Sequence, residues 1–407
     1  MKAFFKRYYS HILCILVTAA LCTSIGAVLA TSMIHANHGT AARRPEQTPL
    51  DTSVQDKMQE IQSYLDHYFI GDIDETAMAD SIAEGMIAGT GDRWSYYISA
   101  DDYDSYMESV NNAYVGIGIV IQLANEDDPG FTIMSVTEGG PAEKAGLQVG
   151  DILTKVEGKS VVEMGMEETR NHVRGEEGTK VTITVLRGGV EQEYSVERAN
   201  IAVVNVRSEM LTDEIGCISI DNFDSNCAKD SIAAIESLQS QGAKKLIFDV
   251  RFNPGGFKSE LVELLDYILP EGKLFISEDY SGEETVDYSD ADCLDMEIAV
   301  LVNGDSYSAA EFFAAALKEY GVAQVVGTQT CGKGYFQTTF PLSDGSAIAI
   351  SIGKYRTPNG VSLAEVGGLV PDQVVELDQE DYEALYYDQL SHKDDPQLEK
   401  AIEVLSN

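Results

Sequence analysis

Ser308 and Lys333 are the pair in this chain whose types and spacing could do chemistry. Ser308 stands in VNGDSYSAAE, where an apolar strand gives way to an apolar helix, and Lys333 follows in GTQTCGKGYFQ, between Gly332 and Gly334. A serine attacks a carbonyl only when a base takes its proton, and the usual base is histidine. The six histidines fall at 11, 35, 38, 67, 172 and 392, so none lies between residues 200 and 390. A serine nucleophile in this stretch therefore needs a lysine. Such a lysine must be neutral, so burial has to draw its pKa down from about 10.4. Flanking glycines let the backbone approach closely and aim the side chain into a crowded site.

The neighbours of the pair extend the reading. Ser308-Ala309-Ala310-Glu311 is a capping box by pattern. The same position places a serine beside unpaired N–H groups and the positive end of a helix dipole. Gln337 lies four residues beyond Lys333 and shares its face in an extended strand. Four strand residues span roughly 13 Å, so contact requires a bend at Gly334 or a long reach by the lysine. Its expected role is to orient the amine as a neutral partner. In DVRFNPGG the Gly255-Gly256 turn after an apolar strand leaves N–H groups open to a ligand oxygen, with the Ala309 N–H as a second donor. In YVGIGI, the N–H groups of Gly116, Ile117, Gly118 and Ile119 could hold a peptide's terminal carboxylate, and the strand after them could take up the peptide by strand addition.

These residues need elements to position them. GCISI, KKLIFDV, EIAVLVN, AQVVGT and AIAISIGKY read as strands, and residues 228–241, 259–269 and 309–320 as helices. That alternation predicts an α/β core with a partly parallel sheet. Residues 110–196 read as a compact β-rich unit, with YVGIGIVIQLA as one strand and 141–147 as a short helix. Residues 51–101 read as helical and 37–50 as a polar linker.

Composition sets the surroundings. The chain has 407 residues and a formal charge of −39, and no Asp or Glu precedes Glu46. Such a surface disfavours nucleic acid and anionic lipid as partners. Residues 1–36 carry Lys2, Lys6 and Arg7 ahead of an apolar run from Ile12 to Ile34. The run is long enough to span a bilayer, which predicts an uncleaved anchor, with a removed signal peptide as the alternative. Positive-inside bias then places everything after it outside the cytoplasm. Cys217, Cys227, Cys293 and Cys331 fit no metal spacing, and no cofactor, metal or nucleotide is implied.

Taken together, GMIAGTGDRWSYYIS, YVGIGI, EGGPAEKAGLQVGDILTKVEGKSV, VRGEEGTKVTITVLRGG, DVRFNPGG, VNGDSYSAAE, GTQTCGKGYFQ and YRTPNGVSLAEVGGLVPDQVV resemble, in order, the C-terminal processing peptidases, the Ser-Lys family of tail-specific proteases. The resemblance implies a PDZ domain at 102–196 and a serine protease core at 197–390 with a crotonase/Clp-protease-like fold. A C-terminal helix at 391–407 follows, and with the region near 51–101 it could make a homodimer. Ser308 would be the nucleophile, Lys333 the general base and Gln337 its orienting residue, with Gly255, Gly256 and Ala309 at the oxyanion. Ser306 is the competing serine, which the 25-residue spacing to Lys333 disfavours. Gly116 to Ile119 would form the carboxylate-binding loop, and Arg174 in VRGEEG a gating latch. The expected substrates are proteins with apolar C-terminal tails. Two rivals stand beside this reading: a catalytically inert peptide-binding scaffold, and a hydrolase of small acyl substrates.

Overall fold

The computed structural model describes residues 52–406 apart from 112, 123–128, 138, 203 and 388, so the segment read as an anchor or signal peptide lies outside the described residues. The chain divides into two compact units, 1–75 and 76–407. Among the described residues the first unit holds helix α1 (Thr52–Tyr68), on which Val54, Met58 and Ile61 are exposed. Helix α2 (Glu75–Ala88) opens the second unit, followed by strand β1 (Tyr96–Ile98) and helix α3 (Ala100–Val110). Ser99 caps α3, its hydroxyl accepting the Asp102 N–H. Among the described residues no helix is long and apolar enough to cross a membrane.

The stretch expected as one strand, YVGIGIVIQLA, is two. Strand β2 (Ala113–Gly116) pairs with β9 (Ala199–Ala202), whereas β3 (Ile119–Gln122) pairs with β4 (Phe131–Val136) in a different sheet. Gly118 makes the break. Its φ is +75°, and a Cβ there would stand 2.9 Å from Thr137 Cβ, so the turn requires glycine. The sheet of β3 and β4 continues through β5 (Ile152–Val156), beside which β6 (Lys159–Ser160) also pairs, to β7 (Lys180–Arg187) and β8 (Val190–Glu197). Helix α4 (Pro141–Ala145) and helix α5 (Val161–Val173) close it around Ile117, Ile133, Leu153, Ile183 and Val185.

The second sheet has the order β10 (Val206–Met210), β11 (Ile215–Ile220), β12 (Lys245–Asp249), β15 (Glu297–Val302), β16 (Ala323–Gly327), β19 (Gln373–Val374). All neighbours run parallel except β10 with β11. Its central strands are apolar throughout because both faces are covered. Ile218, Leu246, Phe248, Ile298 and Val300 face helices α6 (Cys227–Gln241), α7 (Lys258–Ile268) and α8 (Ala309–Glu319). Cys217, Ile247, Ala299 and Leu301 alternate to the other face, where α9 (Pro396–Ser406) covers them with Leu398, Ala401 and Leu405. That packing corrects one expectation. The apolar face of the C-terminal helix is buried against its own sheet and is not available to a second copy. Arg251 ties this helix to the loop after β12, with its guanidinium against Asp249, Asp395 at 2.9 Å and Gln397 at 3.1 Å.

A third, antiparallel sheet has the order β1, β18 (Ala347–Arg356), β13 (Gly272–Asp279), β14 (Glu284–Ser289), with β17 (Tyr335–Pro341) also pairing with β18. It lies across the ends of α7 and α8 through Phe275, Phe312 and Tyr355, whose rings meet at 4.6–5.6 Å. Among the described residues Cys217, Cys227, Cys293 and Cys331 are free thiols.

Candidate active site

Four parallel strands, β11, β12, β15 and β16, end at one edge of the second sheet, and the loops that follow them converge there. The crevice beyond the carboxyl ends of such strands is where open α/β sheets bind ligands. Here it is a cleft of about 730 Å³ to which Ser308, Ala309, Lys333, Gln337, Gly256 and Asp224 all contribute.

Ser308 ends the loop after β15 with φ +57° and ψ −122°, a conformation L-residues rarely adopt. Such strain costs of order 1–3 kcal/mol and persists only where the surroundings enforce it. The enforcement is visible. Every residue of the first two and a half turns of α8, from Ala309 to Leu317, is buried, so the helix cannot shift to relax its N-terminus. Ser306, the competing serine, is fully buried, and its hydroxyl donates to Val250 O at 2.7 Å while accepting the Asn303 N–H at 3.0 Å. It is a backbone brace.

Glu311 joins the two halves of the site. Its Oε1 accepts the Ser308 N–H at 3.1 Å and the Lys333 N–H at 2.6 Å. Its Oε2 accepts the Gly332 N–H at 2.9 Å and the Thr330 hydroxyl at 2.8 Å. The side chain is fully buried, and desolvation pushes its carboxyl above the usual range against the pull of these four donors. The capping-box pattern identified only the bond to Ser308. The lysine loop is 22 residues further on, and no local spacing signals that contact.

Lys333 enters the cleft from the loop after β16. Burial draws its amine below the usual lysine value, while Glu311, Asp92 and Cys331 pull weakly the other way. The direction is the one a general base needs. Its Nζ lies 4.7 Å from the ring centroid of Trp94, the only tryptophan in the chain, and 5.9 Å from that of Tyr307. The Trp94 turn is fixed by Asp92, which accepts the Trp94 N–H at 3.1 Å and the Ser95 hydroxyl at 2.5 Å. Tyr355, 3% exposed, donates its phenol to Lys333 O at 2.6 Å and lines the cleft beside Ser308. Neither Trp94 nor Tyr355 emerged as a site residue from the sequence. Each sits in a motif that could have been searched, GDRWS and YRTPNG, but the partners are distant in the chain.

Gln337 also faces the cleft, just after a register shift in β17. Its Nε2 donates to Ser351 Oγ at 2.9 Å and Tyr335 O at 3.3 Å. Ser351 in turn donates its N–H to Ser95 Oγ at 3.0 Å, which joins Gln337 to the Trp94 turn. No hydrogen bond runs from Gln337 to the Lys333 amine among the described residues, so its link to Lys333 runs through that turn.

Of the three N–H groups expected at an oxyanion, the Gly255 N–H is spent on Asn253 Oδ1 at 2.8 Å. Gly255 serves by having no side chain: at φ +96° a Cβ would stand 2.6 Å from Ser308 Cβ. Gly256 and Ala309 keep N–H groups without a protein acceptor among the described residues, and both line the cleft. Gly256 bridges to Phe223, where a Cβ would come within 2.3 Å of the backbone.

In the β-rich unit, Gly116 ends β2, Ile117 is buried in the core, Gly118 makes the turn and Ile119 begins β3 opposite Val136. Arg174, at the end of α5, pairs with Glu108 on α3, and its guanidinium lies 5.1 Å from the Tyr114 ring centroid. It has the carboxylate partner that a partly buried arginine needs.

Comparison with known proteins bears on this geometry. Residues 214–375 match peptidase family S41, and residues 132–187 match a PDZ domain. A probable CtpA-like serine protease of Staphylococcus saprophyticus is 32% identical over 376 residues, covering 91% of this chain and 74% of that one. Another, from Staphylococcus aureus, is 32% identical over 339 residues, covering 82% and 67%. Among solved structures, a putative S41 protease from Bacteroides fragilis superposes with a TM-score of 0.52 at 17% identity, covering 84% of this chain and 94% of that one, a likeness of fold alone. The strained serine, the desolvated lysine and a relationship that runs through nearly the whole chain agree: this protein belongs to peptidase family S41.

Proposed function

We propose that the chain is a serine endopeptidase that captures the apolar C-terminal tails of proteins and cleaves them with Ser308 and Lys333. The observation that carries this reading is the Glu311 carboxylate, which holds the backbones of both residues at one cleft. Neutral Lys333 takes the Ser308 proton as Oγ attacks the peptide carbonyl. The tetrahedral oxyanion lies against the Gly256 and Ala309 N–H groups. Collapse breaks the C–N bond, and Lys333 returns the proton to the leaving amine. Water, deprotonated by Lys333, then hydrolyses the acyl-enzyme. Gln337 keeps the Trp94 turn and hence the amine in place.

The PDZ domain supports a peptide rather than a small acyl ester as substrate, and an intact catalytic set disfavours the inert scaffold. The Gly116 to Ile119 loop would hold the tail's carboxylate, with β3 pairing to the peptide backbone. Arg174 acts as the latch: tail binding at the PDZ domain exchanges its Glu108 contact for another partner and shifts the balance towards the open enzyme. Residues 1–36 anchor the protein so that the catalytic part is extracytoplasmic, a placement that fractionation with and without that segment tests. The exposed apolar face of α1 makes the homodimer, and light scattering on a chain lacking residues 52–68 checks it.

The direct test uses an unstructured protein with and without an apolar tail. Cleavage is expected to depend on the tail and to vanish in Ser308→Ala, and Arg174→Ala should raise or abolish the tail's stimulation. Cleavage indifferent to the tail would contradict the PDZ role, and unchanged stimulation in Arg174→Ala would end the latch.

A further inference from the structure

Asp224 is the only carboxylate among the described residues that line the catalytic cleft. It follows β11, next to Phe223, which bridges to Gly256. Its backbone N lies 2.8 Å from where a Cβ on Gly256 would be, so it stands beside the proposed oxyanion donor. The ordinary role for an aspartate here would be to cap α6. That role is filled by Glu260, whose Oε2 accepts the Ala228 N–H at 2.9 Å. The Asp224 main chain is tied down, its N–H to Asn222 Oδ1 at 3.0 Å and its carbonyl to Cys227 at 3.1 Å. Its carboxylate has no hydrogen-bond partner among the described residues. The cation that lines the cleft on α7, Lys258, is engaged with Asp287 at 2.6 Å.

We infer that Asp224 is a specificity-determining residue that recognises a cationic side chain, lysine or arginine, close to the scissile bond of the substrate. This rests on the peptidase reading above. An unpaired carboxylate in a partly dry cleft rejects an acidic side chain and gains most from a donor that brings its own positive charge. Part of the wall is suited to the stem of such a side chain, with Phe257, Met107 and Val110 apolar and Tyr103 and Tyr106 polar only at their tips. Glu260 from α7 and Cys227 from α6 act on Asp224, and Lys258 from α7 and Tyr103 and Tyr106 from α3 line the same cleft. Desolvation, then the Glu260 charge, pushes the Asp224 carboxyl up to about 7. The preference for a cation should therefore be present above that value and fade below it.

The experiment uses the full chain and Asp224→Asn on peptides drawn from a cleaved tail-bearing protein. Each of about three positions on either side of the scissile bond is replaced in turn by lysine or by norleucine, its uncharged analogue. At one position lysine should exceed norleucine in kcat/KM by about tenfold at high pH. The ratio should fall towards one in Asp224→Asn, and in the unmodified chain on acidification to about pH 6. Because it compares two substrates at one pH, the titration of Lys333 cancels. A lysine preference that survives Asp224→Asn, or no such position, overturns the inference. Failure to cut any peptide, as in the Ser308→Ala control, would instead count against the peptidase reading. Anisotropy titration of the same labelled peptides then decides Asp224, and equal affinity for lysine and norleucine forms overturns it.

Discussion

Lys333→Arg is expected to lower kcat/KM by about 10³-fold, although it preserves the charge. A guanidinium does not give up its proton in proteins, so it cannot accept one from Ser308. If Lys333 served only as a positive charge, arginine would retain much of the activity. In the unmodified enzyme, the rate should climb with pH as Lys333 deprotonates and level off below the 10.5 of an ordinary lysine, because burial lowers its value. The same burial has a consequence for stability. A lysine whose folded value is depressed leaves the unfolded chain binding more protons between the two values. The cost is full below the folded value and disappears as pH rises to 10.5. Lys333→Met should thus be inactive yet no less stable than the parent at neutral pH, a combination that thermal melts and peptide assays read directly.

Glu311→Gln is the second large effect. The carboxylate accepts from Ser308, Lys333, Gly332 and Thr330, and an amide can replace only one of its two accepting oxygens. The other end would point an NH₂ at buried N–H donors. Losing two such bonds costs about 3 kcal/mol or more, so the melting temperature should fall. The catalytic loss should be larger than the thermal one suggests, because these bonds set where Ser308 and Lys333 stand. A drop in kcat of about 10²-fold with little change in KM is expected. A substitution that lowered stability alone, leaving kcat intact in the folded fraction, would show that the clamp is not part of positioning.

The legible parts of this protein were those with local signals. Continuous apolar strands such as KKLIF and EIAVLV announced an α/β core with a partly parallel sheet, and β12 and β15 are its centre. Glycines on both sides of Lys333 and a serine at a strand-to-helix junction marked the chemistry. The rest depended on contacts between distant residues. Trp94 is placed under Lys333 by a turn more than two hundred residues away in the chain. Gly255 looked like an oxyanion donor, because a sequence does not reveal that Asn253 takes its N–H. Leu398, Ala401 and Leu405 made an apolar helical face, but periodicity cannot say whether the owner's sheet or a second copy will cover it. YVGIGIVIQLA alternated well enough to read as one strand, and only the crowding of Gly118 against Thr137 explains why it is two.

The most direct test of the account is to map the covalent adduct formed with a serine-reactive peptidyl phosphonate ending in an apolar residue. Digestion and mass spectrometry should place the adduct on Ser308 in the unmodified chain, with labelling lost in Ser308→Ala and strongly slowed in Lys333→Arg. An adduct on Ser306 or elsewhere, or labelling undiminished in Ser308→Ala, would contradict it.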